Sequence, residues 1–535
     1  MTTRLVQINV IVNDKHGNPI LGLTKDNFSL LDNRVPQKIQ LFSAETNLPS
    51  GSPSPPLTPD TFSNQLSERP TISSGATLIL LDALNTESTD QTLARKQVLK
   101  FLQQLRPHDR VALYWLGNNL YVLSDFTSDP SVLREALANF AGESSRNLAD
   151  SKIEDPSLNN TNHSLPAGSS SSREAFRLAF DQRVANQSTK DRVRLTVAAL
   201  IAISHHVGSL KGRKNLVWVS AGFPFSLGQE KFDLNWANDT GESFTGEIEG
   251  AAKALTNADI AVYPVDARGL MGSGLSAAGD YSDAPPPEFS GEGNEHLPSR
   301  IAPRNLETMK TLAERTGGKA FYGSNDLSEP IRRAIDDSRA TYTLGFYPTA
   351  AKWDRRFHSI KVKVKTPGAI VRARTGYFAL PDLANAPPKS IQALISQTAI
   401  SQLDATSIGL RVHIQPASSA DEQALNIDLH LDLRDIQMLQ NNGLWTSTLQ
   451  TDFLQLNNRG EVIQGLDETL QVTLPPSAYE QALKDGLRNT RHLRILPGAT
   501  QLCIVVRDPT NGNLGSLSIP LTAYLTAPNK PADSP

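Results

Sequence analysis

Few residues of this chain have a type and spacing that could do chemistry. Cys503 is the one cysteine, set in the apolar run Leu502-Cys503-Ile504-Val505-Val506. With no nucleophile signature around it, it reads as a buried strand residue and not a reactive thiol. His205 and His206 are adjacent in a helical stretch, where neighbouring side chains diverge by about 100° and do not grip one metal easily. Gly208-Ser209-Leu210-Lys211-Gly212-Arg213-Lys214 lacks the spacing of a phosphate loop and precedes a strand instead of following one. Its basic residues suit a helix C-terminus better. No Gly-x-Ser-x-Gly stands at a strand-to-helix elbow. What remains is Asp82, Ser220 and Asp266, each closing an apolar strand.

Those three residues belong to one pattern. Thr77–Leu81, Val111–Leu116, Asn215–Val219 and Ile260–Val265 are near-continuous apolar runs, the mark of parallel strands covered on both faces. Helical patterns separate them: one after Asp82, one over Pro130–Phe140 opened by Asp129, one from Arg173 to Ser209, then Glu247–Asn257, Leu306–Arg315 and Leu327–Asp337. Lys319–Tyr322 and Ala340–Phe346 read as two last strands. Alternation of this kind predicts a parallel sheet with helices on both faces, and ligands of such sheets sit at the carboxyl ends of the strands.

The flanking segments read differently. Val6, Ile8, Val10 and Val12 alternate as a half-buried strand, and Ile360, Val362 and Val364 do the same far downstream. Neither segment can bury its apolar face alone, so the two predict one small β-domain with the helical domain inserted into it. The expected division is 1–45 and 349–380 for the two halves of that domain, 76–348 for the insert, and 390–527 for a C-terminal β-sandwich. Ser/Pro/Thr-rich 46–75 and 381–389 read as linkers, and 528–535 as a tail. Residues 142–172 and 269–300 read as mobile excursions, too poor in apolar residues to offset ordering. Sequons at Asn159, Asn162, Asn186 and Asn238 indicate surface exposure only.

Composition removes some functions. At 535 residues, roughly three domains are expected. A net charge of -3, with no long basic block, argues against nucleic acid or an anionic membrane as the partner. No apolar run reaches the length of a membrane span. The start, Met1-Thr2-Thr3-Arg4, enters a strand directly, with no export signal visible.

The order of five pieces resembles the acidobacterial von Willebrand factor A-related family over roughly residues 5–380. They are Val10–Asp14 with Gly17, Gly22-Leu23 and Asp26-Asn27-Phe28; Leu80–Thr86; Gly212–Ser220; Tyr342–Pro348; and Arg374–Phe378. The resemblance implies a von Willebrand factor A-like doubly wound sheet, here called the A-type domain, in an exported protein of the envelope or the outside.

Such domains often hold Mg²⁺ with an Asp-x-Ser-x-Ser motif, a loop Thr and a second Asp, hard oxygen ligands that leave one position for a partner's carboxylate. Mapped here, the motif is Asp82-Ala83-Leu84-Asn85-Thr86, the loop residue is Thr196, and Ala221 stands where the second carboxylate belongs. The candidate metal residues are therefore Asp82, Thr86 and Thr196, a degenerate site expected to bind Mg²⁺ weakly or not at all. Asp82 is then expected to accept hydrogen bonds from its own loop. No cofactor and no catalytic residue are expected. The leading function is a non-enzymatic adhesion-type protein that binds a protein partner through the top of this sheet. A hydrolase with a site in 269–300 or in the sandwich, and a structural envelope component, are the alternatives.

Overall fold

The computed structural model describes residues 5–46, 58–65, 75–107, 109–140, 171–210, 212–223, 245–268, 301–324, 326–337, 340–348, 357–379, 388–417 and 423–524. The expected mobile excursions at 142–172 and 269–300 fall almost wholly outside them.

In chain order the first strands are β1 (Val6–Asn13), β2 (Phe28–Asp32), β3 (Val35–Gln37), β4 (Leu41–Thr46) and β5 (Thr61–Ser63). The insert follows with β6 (Ala76–Asp82), α1 (Ser88–Leu102), β7 (Arg110–Leu116), β8 (Leu120–Thr127), α2 (Pro130–Asn139), α3 (Ser171–His206) and β9 (Lys214–Ser220). It continues through α4 (Thr245–Asn257), β10 (Ile260–Asp266), α5 (Ile301–Thr316) and α6 (Ser328–Asp336). Then come β11 (Ala340–Phe346), β12 (Phe357–Val364), β13 (Ile370–Ala373), β14 (Gly376–Phe378) and α7 (Pro388–Ile400). The last part holds β15 (Leu410–Pro416), β16 (Ala424–Leu431), β17 (Leu439–Asn441), β18 (Leu444–Leu456), β19 (Val462–Leu474), α8 (Pro476–Asp485), β20 (Leu487–Arg494), β21 (Gln501–Arg507) and β22 (Leu514–Pro520).

The insert is a five-stranded sheet in the order β10-β9-β6-β7-β8, parallel except for the edge strand β8. Alternate residues of each strand feed opposite cores. Leu78, Leu80, Tyr114, Leu216 and Trp218 pack toward α3, α4 and α5. Ile79, Leu81, Leu113, Trp115 and Val217 pack toward α1, α2 and α6. Two covered faces explain why the strands are apolar at every position, and they make the sheet doubly wound. The chain leaves β6 toward β7 on one side and returns to β9 on the other. The carboxyl ends of β6 and β9 therefore flank the crevice where ligands of such sheets bind.

The small β-domain is built from both ends of the insert. β1 pairs with β11 (Val10↔Tyr342) and with β13 (Val12↔Val371), and β2 pairs with β12 (Phe28↔Val364). Its two sheets, β13-β1-β11-β4 and β14-β12-β2-β3, close over Ile8, Leu30, Leu344 and Phe346. Phe28 and Tyr342 meet with ring centroids 5.2 Å apart, a contact worth about 0.5–1.5 kcal/mol beyond area burial. The C-terminal sandwich places β20-β16-β15-β5 against β17-β18-β21-β22 over a core that includes Leu429, Phe453 and Ile504. α7 covers the outer face of the second sheet, where Ile395 meets Cys503 and Val505.

Several expectations need correction. Strand β11, assigned to the insert within 76–348, lies between β1 and β4 of the small β-domain. Its alternation fits either sheet, and only the partner across the gap decides. The 46–75 linker carries β5, which adds an edge to the sandwich through Phe62↔Val412. A three-residue strand is too short to show a period. It is held there by Asn64, whose amide donates to the Ala405 and Ile408 carbonyls and accepts from Leu410 N. Of the strand expected at Lys319–Tyr322, only a bridge between Val265 and Phe321 forms. Helix α7 begins at Pro388, inside the expected second linker 381–389.

Candidate functional site

Asp82 ends β6 at the crevice and is 2% exposed. The period of two along β6 points Leu80 and Asp82 to one face, and parallel pairing aligns Leu80 with Trp218 on β9. Trp218 and Ser220 therefore meet the Asp82 carboxylate from the side. Trp218 Nε1 donates to Oδ2 at 2.9 Å and Ser220 Oγ donates to the same oxygen at 2.8 Å. From the loop, Asn85 N donates to Oδ1 at 3.0 Å. The Asn85 side-chain amide lies 2.9 Å from Oδ2 and 3.2 Å from Oδ1. Burial pushes the Asp82 pKa up from its ordinary value, opposed by the donors of Asn85, Ser220 and Trp218.

Asn85 Nδ2 also lies 2.9 Å from Thr196 Oγ1. Thr196 is not a loop residue as expected. It sits inside α3, and its hydroxyl donates to the Arg192 carbonyl one turn back at 2.8 Å. Thr86 is brought to the same place but faces β9, where its Oγ1 accepts from Ala221 N at 3.0 Å. Leu84 is fully buried in the core and gives its N–H to the Leu116 carbonyl. The three sequence candidates thus converge, with Asn85 between two of them.

This donor set does not fit a divalent cation. The place between Asp82 and Thr196 is taken by an N–H donor, both Asp82 oxygens are engaged, and Leu84 and Ala221 offer no side-chain oxygen. Mg²⁺ needs oxygen ligands in near-octahedral array. Positive charge comes instead from Arg192, nine-tenths buried and attracted to Asp82, although burial holds its pKa below the ordinary value. The other carboxylate of the edge, Asp266, is clamped by Arg268, whose Nε and Nη2 each donate at 2.9 Å.

Sequence reasoning passed over Asn85, Trp218 and Arg192. The parity that sets Trp218 and Ser220 on the face of Asp82 was available in the sequence. The role of Asn85 was not, because it depends on a helix residue 111 positions away.

The remaining candidates lie elsewhere. Cys503 is fully buried, and burial pushes its thiol up to about 12. His206 Nδ1 contacts the Asp404 carbonyl at 2.7 Å, at the junction with the sandwich. Lys214 Nζ donates to the Leu210 carbonyl just past α3, and Arg213 to the Gly317 carbonyl. Among the described residues no group of three His, Cys, Asp or Glu could hold a metal, and no helix is long and apolar enough to cross a membrane.

No protein-family model matches this chain, and no curated protein matches it. Among solved structures, it is similar to a von Willebrand factor type A protein from Catenulispora acidiphila at 9% identity, covering 94% of this chain and 75% of that one, with a TM-score of 0.26. An aerotolerance-related membrane protein from Bacteroides fragilis is 15% identical, with 49% of this chain and 98% of that one covered and a TM-score of 0.25. BatB from Bacteroides thetaiotaomicron is 16% identical over the same shares, with a TM-score of 0.24. The fold described above stands on strand order and register, not on likenesses of this size.

Proposed function

We propose that the chain is a non-enzymatic, exported binding protein of the acidobacterial von Willebrand factor A-related kind. Its A-type domain engages a protein partner at the carboxyl edge of the parallel sheet, with no bridging metal and no cofactor. The observation that carries this reading is the closed state of the two carboxylates that end β6 and β10. Asp82 is held by Asn85, Trp218 and Ser220, and Asp266 by Arg268. A base for proton transfer must be free to reach its substrate, whereas Asp82 is buried among its donors and Asp266 is paired with Arg268. An edge fixed in this way suits shape recognition by its loops. Export rests on the sequence resemblance.

A photo-crosslinking residue in the full chain tests the reading inside cells of the source bacterium. Placed at Glu87, exposed beside the crevice, it should capture a discrete protein, unchanged by EDTA. Placed at Asn257, exposed before the amino end of β10, it should not. Capture from Asn257 alone, or loss in EDTA, would overturn the proposal.

A further inference from the structure

Where α3 meets the sandwich, the two units line a half-open cavity of about 220 Å³. One side is the α3 stripe that runs from Ala198 at the mouth to Ala202 and His205 in the floor, spaced by four and three residues so that all face one way. Small side chains there leave the hollow. Leu120 at the start of β8, Leu394 from α7 and Leu403 beyond it form the walls. An apolar cavity of roughly 150 Å³ is enough for benzene, so this one has room for a ring with a short chain.

The polar groups of the hollow are the amides of Asn118, Asn119, Gln397 and Gln402, the hydroxyls of Thr398 and Ser401, and the His205 ring on α3. Thr398 Oγ1 donates to the Leu394 carbonyl, and Ser401 Oγ accepts from Leu403 N. Among the described residues the His205 imidazole has no hydrogen bond, while its backbone carbonyl receives Thr406 N. Burial lowers its pKa to about 4, so the ring is neutral near pH 7 and offers one donor and one acceptor. The ring is half-buried, so a ligand in the hollow can reach its nitrogens. A largely apolar hollow between two units, with a few polar groups around it, is the usual make-up of a small-molecule site.

The geometry points to a binding site here for a small, neutral, mostly apolar molecule, a ring or short chain bearing one hydroxyl or amide that pairs with His205. The ligand would touch α3, the β7–β8 turn and α7 together, and so bridge the A-type domain and the sandwich. This inference is independent of the partner proposed for the sheet edge.

Calorimetric titration of the full chain with 4-butylphenol and butylbenzene tests it, because the two probes differ by one hydroxyl. Both should bind saturably at one site, the phenol about tenfold tighter, the value of one neutral hydrogen bond. Ala202→Phe fills the floor and should abolish both. Ala198→Phe, at the exposed mouth, should do the same should the first variant fail to fold. His205→Leu should keep butylbenzene binding and bring the two probes to equal affinity. No saturable binding of either probe, unchanged binding in a folded Phe variant, or a tenfold preference that survives His205→Leu would each overturn the site.

Discussion

The side-chain amide of Asn85 lies 2.9 Å from Oδ2 of Asp82, and the same nitrogen reaches Thr196 on α3. It ties the end of β6 to α3. Asn85→Ala should cost about 2 kcal/mol, the value of a hydrogen bond to a buried charge. Asp82→Asn should cost more, about 3 kcal/mol, because it replaces an acceptor oxygen by an N–H donor that faces other donors. Urea unfolding measures both. Neither Mg²⁺ nor EDTA should shift the wild-type midpoint. A saturable Mg²⁺ heat that Thr86→Ala removes would restore the adhesion-site mechanism.

Two buried groups should give stability opposite slopes in acid. Burial lowers His205 from 6.5 to about 4, so over that range the unfolded chain holds a proton the folded one lacks. Its contribution is lost as pH falls. Burial, and then the Asp467 carboxylate opposite it on β19, raise Asp452 from 3.8 to about 6. There the folded chain holds the extra proton, and stability is lost as pH rises. Between about pH 4 and 6 these terms oppose each other. Asp452→Asn should leave stability climbing with pH, and His205→Leu should leave it falling. Urea midpoints across the window check this, and parallel slopes in the two variants would refute it.

Gly318 follows α5 where the chain passes against β10. A Cβ there would overlap the Val262 carbonyl, which is backbone and cannot swing away. Gly318→Ala should therefore lose about 3 kcal/mol or more, the upper end of overpacking costs. Gly323 has open space around its Cβ and a φ of +66°, so Gly323→Ala should lose about 1 kcal/mol through backbone strain alone. Thermal unfolding of the pair separates contact from conformation.

Tyr377 joins the two halves of the small β-domain. Its hydroxyl donates to Asp32 Oδ2 at 2.8 Å, and His358 Nδ1 lies 3.2 Å from Oδ1 of the same carboxylate. Tyr377→Phe should cost about 2 kcal/mol, while Tyr347→Phe, at a ring 44% exposed, should cost nothing measurable. Urea denaturation distinguishes them. Equal effects would mean the buried hydroxyl has no special role.

Much of this architecture was legible in the residues themselves. Period-two alternation in Val6–Val12 and Ile360–Val364, and unbroken apolar runs such as Thr77–Leu81, announce half-buried and fully buried strands, because burial dictates side-chain polarity position by position. The same rule put Asp82 and Ser220 at strand ends. Periodicity reports which face is buried, not which strand lies across the gap. So the pairing of β11 with β1, the recruitment of β5 by the sandwich, and the reach of Asn85 to Thr196 were decided only by the tertiary structure. Hydrogen bonds between residues far apart in the chain depend on register and helix placement. Those are set by packing the whole core and leave no local trace.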